Sequence, residues 1–142
     1  MVRQIVKQKQ GITLPNVIQT VDDIVRLLIN GEDNWLQYGR VACYPHPSNP
    51  DLCIFNYRND AFHGKGWTQF EILARGLILN AVTGEIVGRS FDKFFNYGEY
   101  GVDFTPVGKI KNVYEKIDGN LGVLMRNNGV YEITTRGRFD SG

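Results

Sequence analysis

The sequence predicts an α+β fold, an antiparallel β-sheet with flanking helices. Three observations lead there. A segment near the N-terminus has helical periodicity. The chain after Gly31 breaks into short β-rich stretches between turn signals. An Asn-Asn-Gly hairpin signal lies close to the C-terminus. The 142 residues are 42% hydrophobic and 22% charged with a net charge of +1, a composition that suits one globular domain rather than two. No apolar run reaches the length of a membrane span. The basic start, Met1 to Lys7, lacks the apolar block of a secretory signal. The expected location is therefore cytoplasmic and reducing, with no membrane partner and with Cys43 and Cys53 as free thiols. A near-neutral total does not exclude a nucleic-acid ligand, because it can hide a local basic patch.

The helix is read from Val17, Ile18, Val21, Ile24, Val25 and Leu28, which make one apolar stripe. Pro15 suits its first turn and Gly31 the position past its end. Asp22 and Arg26, four apart, can pair on the exposed face. Residues 1–35 are thus a helical lead-in, and about 36–142 a motif-bearing sheet.

Strands are expected at Arg40–Tyr44, Leu52–Tyr57, Gly76–Asn80, Glu85–Arg89, Ile110–Lys116, Leu121–Arg126 and Val130–Thr135. Asn59–Gly66 reads as a loop, and Trp67–Leu73 fits either a short helix or an extended run. The C-terminal hairpin needs a partner layer over its apolar face. Either the N-terminal helix supplies it or further sequence does.

Chemistry concentrates in Glu115-Lys116-Ile117-Asp118-Gly119. A lysine amine attacks an α-phosphate only as the free base, so it needs desolvation or neighbouring cations and an in-line position. Gly119 lets the backbone approach a ligand closely, and Asp118 can hold a ribose hydroxyl, a metal or the turn itself. Alone, Lys-x-Asp-Gly is no more than a surface lysine before a β-turn. Upstream lie Ala74-Arg75-Gly76-Leu77-Ile78-Leu79-Asn80 and Gly88-Arg89-Ser90-Phe91-Asp92-Lys93-Phe94-Phe95-Asn96-Tyr97-Gly98-Glu99; downstream lies Thr134-Thr135-Arg136-Gly137-Arg138-Phe139. Taken singly, at least two of Phe91, Phe94 and Phe95 would be core residues and Arg75 and Arg89 a solvated strand edge. That reading does not explain their order.

This ordered set resembles the bacteriophage RNA ligase 1 family and the adenylyltransferase domain of fungal tRNA ligases, over about residues 36–140. The resemblance implies a partial nucleotidyltransferase fold, the N-terminal portion of an adenylyltransferase domain. It implies ATP as cosubstrate, Mg2+ bridging phosphate oxygens, and broken RNA ends, of tRNA or another RNA, as partners in RNA repair. It makes Lys116 the catalytic nucleophile that forms lysyl-AMP. Arg75, Lys93, Phe95, Glu115, Asp118, Gly119 and Arg136 become nucleotide-binding residues, with Phe95 beside the adenine. Arg136 stands where the phage enzymes often carry lysine, keeping the charge but not the geometry.

DNA ligases usually place an arginine two positions after the motif glycine, where this chain has Leu121, and capping enzymes lack the Lys-Phe-Phe-Asn stretch. Full-length ligases of this kind continue into further motifs, so the expectation is a truncated ligase. The alternatives are an inactive nucleotide- or RNA-binding fragment, or one half of a split ligase completed by a separate C-terminal polypeptide. Cys43, His46, Cys53 and His63 have metal-ligand chemistry but no familiar ligand spacing, so free thiols and partly exposed histidines are expected and no metal ligand is assigned. Trp35 and Trp67 are expected to pack, and Tyr38 is a candidate to flank the nucleotide.

Overall fold

The computed structural model describes residues 18–64, 66–101 and 108–139. Helix α1 spans Val21–Ile29, starting later than the apolar stripe suggests. Its N-terminus is fixed by a capping box. The Thr20 hydroxyl accepts from the Asp23 N–H at 3.3 Å while the Asp23 carboxylate accepts from the Thr20 N–H at 3.0 Å. Ile18 is fully buried yet precedes the helix, and Pro15 and Val17 lie outside the described residues. Arg26 pairs with Asp23 at 3.2 Å rather than with Asp22, because Asp23 already faces that side through its capping bonds. Gly31, at φ 80°, ends the helix. Its N–H bonds the Leu28 carbonyl and the Glu32 N–H bonds the Leu27 carbonyl, the paired closure of a Schellman motif.

Strands β1 (Val41–Pro45), β2 (Leu52–Tyr57), β3 (Arg75–Asn80) and β4 (Ile86–Arg89) form an antiparallel meander in chain order. Strands β5 (Gly122–Asn127) and β6 (Val130–Thr135) form a separate hairpin. Asn128 and Gly129, at φ 48° and 85°, make its two-residue turn. The expected strands match within one or two residues, with one exception. Residues 109–117 carry no ladder; Ile110, Val113, Tyr114 and Ile117 are exposed. An extended segment becomes a strand only when a neighbour satisfies its backbone, and none of the described residues does so here.

The meander is the middle of three layers. On one side α1 and the 70–74 region cover Val41, Cys53, Phe55, Leu77 and Leu79 around Trp35, Tyr38 and Phe70. On the other, the hairpin buries Leu52, Ile54 and Ile78 under Val123 and Met125. Strands β2 and β3 therefore have apolar side chains on both faces, which is why Leu52–Phe55 and Leu77–Leu79 read as continuous apolar runs rather than alternations. The hairpin approaches β4 closely. A Cβ on Gly88 would stand 3.1 Å from the Met125 Cβ and 3.2 Å from the Leu124 carbonyl.

A closed ring of polar contacts clasps the hairpin to the β1–β2 turn. The Asn49 backbone N–H donates to His46 Nδ1 at 3.2 Å, and His46 Nε2 meets Glu132 at 3.1 Å. Asn127 donates to Glu132 at 3.0 Å and accepts from the Asn49 side chain at 2.8 Å. Because Nδ1 accepts from backbone N–H groups, the proton of the neutral ring sits on Nε2 and is donated to Glu132.

Between β2 and β3, Trp67–Leu73 resolves to helix α2 (Gln69–Leu73), capped by Thr68 with Glu71 in a second capping box. The Asn59–Gly66 loop contains a 3-10 turn, Asn59–His63. The Glu71 side chain is 1% exposed. Its oxygens accept from the Arg40 N–H at 2.8 Å, Arg40 Nε at 2.7 Å, Arg40 Nη2 at 2.8 Å and the Thr68 N–H at 3.0 Å. Burial alone would raise this carboxyl's pKa; the Arg40 and backbone bonds outweigh it and hold it below its ordinary value.

Candidate functional site

The site lies at the end of the sheet where β2 and β4 finish, β3 begins and β6 runs out. Arg75 opens β3 opposite Asn56, at an irregularity in the β2–β3 register. Its Nη1 donates to the Phe91 carbonyl at 3.2 Å, its guanidinium lies 5.1 Å from the Phe94 ring centre, and its buried Nε has no partner. The Ser90 hydroxyl binds the Arg75 carbonyl, tying β3 to the segment that follows β4.

That segment carries Lys93. Its backbone N–H bonds the Ile72 carbonyl at 2.9 Å. Its ammonium donates to the Phe94 carbonyl at 2.6 Å and stands 4.2 Å from the Phe95 ring centre and 5.2 Å from that of Trp67. Phe95 meets Trp67 and Tyr100, and Trp67 meets Tyr57 edge-on at 4.9 Å. Burial, and next the charge of Arg75, lower the Lys93 pKa; Glu99 opposes this and Arg136 adds to it.

Arg136 arrives from beyond β6. Its guanidinium lies 4.9 Å from the Tyr57 ring centre, and its Nη1 is buried without a partner. Gly76 permits this approach. Its φ is +65°, and a Cβ there would stand 3.1 Å from the Arg136 Cα. Arg-Gly in the upstream motif is thus a cation followed by the opening that admits a second cation.

Arg75, Lys93 and Arg136, 61 residues apart at the extremes, therefore share one end of the sheet, floored by Tyr57, Trp67 and Phe95. Buried donors on Arg75 and Arg136 without protein partners are what an anionic ligand would satisfy. Glu115, Lys116 and Asp118 are exposed, in the unpaired segment. Lys116 has no hydrogen bond or ion pair among the described residues, while Asp118 accepts from the Gly119 N–H at 2.9 Å. Gly119 has φ +136°. The next two residues, Asn120 and Leu121, line a cleft of about 280 Å³ with Arg136, so the lysine motif ends beside the cations without contacting them.

Several expectations are corrected. Phe91 and Phe94 are 75% and 51% exposed rather than core; of the three phenylalanines only Phe95 is partly enclosed. Tyr38 is fully buried under α1, its hydroxyl bonded to Glu32 at 2.8 Å, so Tyr57 flanks the site instead. Trp67 belongs to the site floor, whereas Trp35 packs in the core. His46 is buried with both ring nitrogens engaged. Among the described residues, no three of the His, Cys, Asp and Glu side chains are placed to share a metal ion. Cys43 and Cys53 are free thiols; a hydrogen bond to Cys53, then burial, push the Cys43 thiol well above its ordinary range. Among the described residues no helix is long and apolar enough to cross a membrane.

Sequence reasoning missed Asn56, Tyr57 and Phe62, whose ring centre lies 6.0 Å from the Lys93 ammonium and 5.3 Å from that of Trp67. The available signal was weak: a polar Asn interrupting the apolar run of β2 just before its final aromatic.

Comparison with known proteins adds a similarity to one family. Residues 73–141 match a family described as RNA ligase. A protein of Autographa californica nuclear polyhedrosis virus, assigned as a bifunctional polynucleotide kinase/RNA ligase, is 38% identical over 97 residues, covering 61% of this chain and 14% of that protein. The chain thus spans a small part of this relative's length. No solved structure matches. Residues 73–141, which hold the Ala-Arg-Gly, Lys-Phe-Phe-Asn and Lys-x-Asp-Gly motifs together, are thus similar to the RNA ligase family of the phage RNA ligase 1 type.

Proposed function

We propose that the chain is the nucleotide-binding portion of an ATP-dependent RNA ligase that joins 5′-phosphate and 3′-hydroxyl RNA ends, with Lys116 as the nucleophile. The observation that carries this reading is the convergence of Arg75, Lys93 and Arg136, drawn from three motifs, on one aromatic-floored end of the sheet. Three cations gathered at one end of the sheet suit a triphosphate and would favour the free-base form of an amine brought among them. Phe95 and Trp67 offer faces for the adenine.

In the first step the Lys116 amine attacks the α-phosphorus. The P–N bond forms, the bond to the bridging oxygen breaks, pyrophosphate departs and the amine's proton passes to solvent. An RNA 5′-phosphate oxygen then attacks the same phosphorus, releasing lysine and giving RNA-adenylate. Attack of a 3′-hydroxyl on that 5′-phosphate expels AMP and seals the strand. Arg75, Lys93 and Arg136 would neutralise charge in the first two steps. Glu115, Asp118 and Gly119 would shape the turn that presents Lys116. Mg2+, if bound with the nucleotide, would supply further charge neutralisation.

Incubation with ATP and Mg2+ should add one adenylate to the intact mass of the protein and nothing to Lys116→Ala. No adduct on the wild type, alone or with a C-terminal partner polypeptide supplied, would remove the enzymatic reading. The exposure of Lys116 outside the cation cluster favours a second reading, a nucleotide-binding portion without its own catalysis. It expects ATP to raise the melting temperature of wild type and Lys116→Ala equally, with no adduct on either.

A further inference from the structure

A groove leads away from the cation cluster along residues 136–139. The cleft of about 280 Å³ beside Arg136 adjoins one of about 460 Å³ that contains Tyr44, Arg58 and Asp60; Asn56, Gly137 and Arg138 line both. A third, of about 240 Å³, takes over at Tyr44 and Arg138 and ends at Phe139. The middle cleft is large enough for a nucleotide-sized ligand.

The lining has the chemistry of a single-strand track. The clefts are lined by three arginines, Arg58, Arg136 and Arg138, and by one carboxylate, Asp60, which engages Arg58 Nε at 3.3 Å. The Arg138 guanidinium has no hydrogen-bond or ion-pair partner among the described residues. Tyr44 leaves half its surface, 52%, in solvent, as a stacking platform would. At the junction with the cation cluster, Asn56 donates from Nδ2 to the Tyr57 carbonyl at 3.1 Å, which fixes the amide's orientation. Its Oδ1 is buried with no partner, and so is Arg136 Nη1. A buried acceptor and a buried donor on the lining of one cleft call for a ligand that both donates and accepts, as a ribose hydroxyl next to a phosphate does.

We propose that this groove carries single-stranded RNA away from the nucleotide site, with Arg58 and Arg138 on its phosphates, Tyr44 under a base and Asn56 accepting from a ribose hydroxyl. The choice of RNA rests on the ligase reading; the groove itself does not. The test is fluorescence anisotropy of the full chain with a 5′-phosphorylated single-stranded RNA of about ten nucleotides across a salt series, beside DNA of the same sequence. Arg58→Ala with Arg138→Ala should lower the slope of log affinity against log salt by about 1.4, roughly 0.7 per lost phosphate contact. Tyr44→Ala should weaken binding about tenfold, and Asn56→Ala should narrow the preference for RNA over DNA.

Arg26→Ala, outside these clefts, should change nothing. Tyr44, Arg58 and Arg138 are exposed, so these substitutions leave the fold standing, and melting curves verify it. Absence of RNA binding by the wild type overturns the proposal. So does binding that responds to the groove variants no more than to Arg26→Ala. ATP-induced stabilisation of the wild type is read separately. Its absence alongside groove-dependent RNA binding retires the ligase reading and leaves the groove standing; its presence with groove-independent binding does the reverse.

Discussion

Gly76→Ala probes the joint on which the site depends. Two costs add. The backbone sits at φ +65°, a conformation that disfavours a Cβ by about 1–2 kcal/mol. The added carbon would also stand 3.1 Å from the Arg136 Cα and 3.2 Å from Val123 Cγ2. Main chain has to yield there, and crowding of that kind costs about 1–3 kcal/mol. The sum is about 2–5 kcal/mol. Gly129→Ala separates the two contributions, because Gly129 has φ +85° and a Cβ there would meet nothing within 4 Å; it should cost about 1 kcal/mol. Urea unfolding followed by circular dichroism gives both values. Gly76→Ala should also shrink the stabilisation by ATP, since Arg136 is pushed from Arg75, whereas Gly129→Ala should not. Equal destabilisation by both, with equal ATP response, would refute the claim that Gly76 exists to admit Arg136.

Four further outcomes are expected. Arg40→Ala should cost about 3 kcal/mol, near the low end for breaking a buried pair because Arg40 is partly exposed. The Glu71 carboxyl is held below its unfolded value, so its contribution is full above about pH 4.3 and fades as pH falls through the folded value; Glu71→Gln should flatten that part of the acid-unfolding curve, and an unchanged curve would contradict the assignment. Glu132 is likewise held low, by His46 and then Asn127, so the hairpin clasp should weaken over the same acid range. Hydrogen exchange in β5–β6, corrected for its intrinsic pH dependence, should lose protection there before β2–β3 does, and Glu132→Gln should abolish the difference. Lys93 is held below its ordinary value by burial and by Arg75; the penalty on its charged form is full below the folded value and disappears as pH rises toward about 10.4. Lys93→Met should therefore leave the melting temperature at neutral pH unchanged or higher while removing the ATP-induced rise; a lower melting temperature with the ATP response intact would contradict this.

The fold was legible where local pattern and tertiary need agree. Leu52–Tyr57 and Val130–Thr135 are bounded by turn residues whose chemistry leaves little choice, and the hairpin turn at Asn128-Gly129 follows from residues that tolerate positive φ. The apolar stripe misplaces the start of α1 because its periodicity continues through Val17 and Ile18, whereas the Thr20–Asp23 capping box decides the boundary. Ile110–Lys116 alternates well enough to read as a strand, but a ladder needs a partner, which no property of the segment itself can reveal. At the site, the motif cations were readable from order along the chain. The aromatic floor was not, because nothing local to Tyr57, Phe62 or Trp67 says that β2, the 3-10 turn and the approach to α2 meet beneath Lys93. Tyr38 and Tyr57 are equally aromatic in sequence, and only the layer each faces separates a core ring from a site ring.

The most direct measurement is a double-mutant cycle on ATP affinity with Arg75→Ala, Arg136→Ala and the pair, read by calorimetry at fixed salt. If both guanidiniums engage one triphosphate, the losses should be non-additive, with a coupling of about 0.5–3 kcal/mol. Strict additivity, or wild-type ATP binding that neither substitution alters, would contradict the convergence of these cations on a common nucleotide.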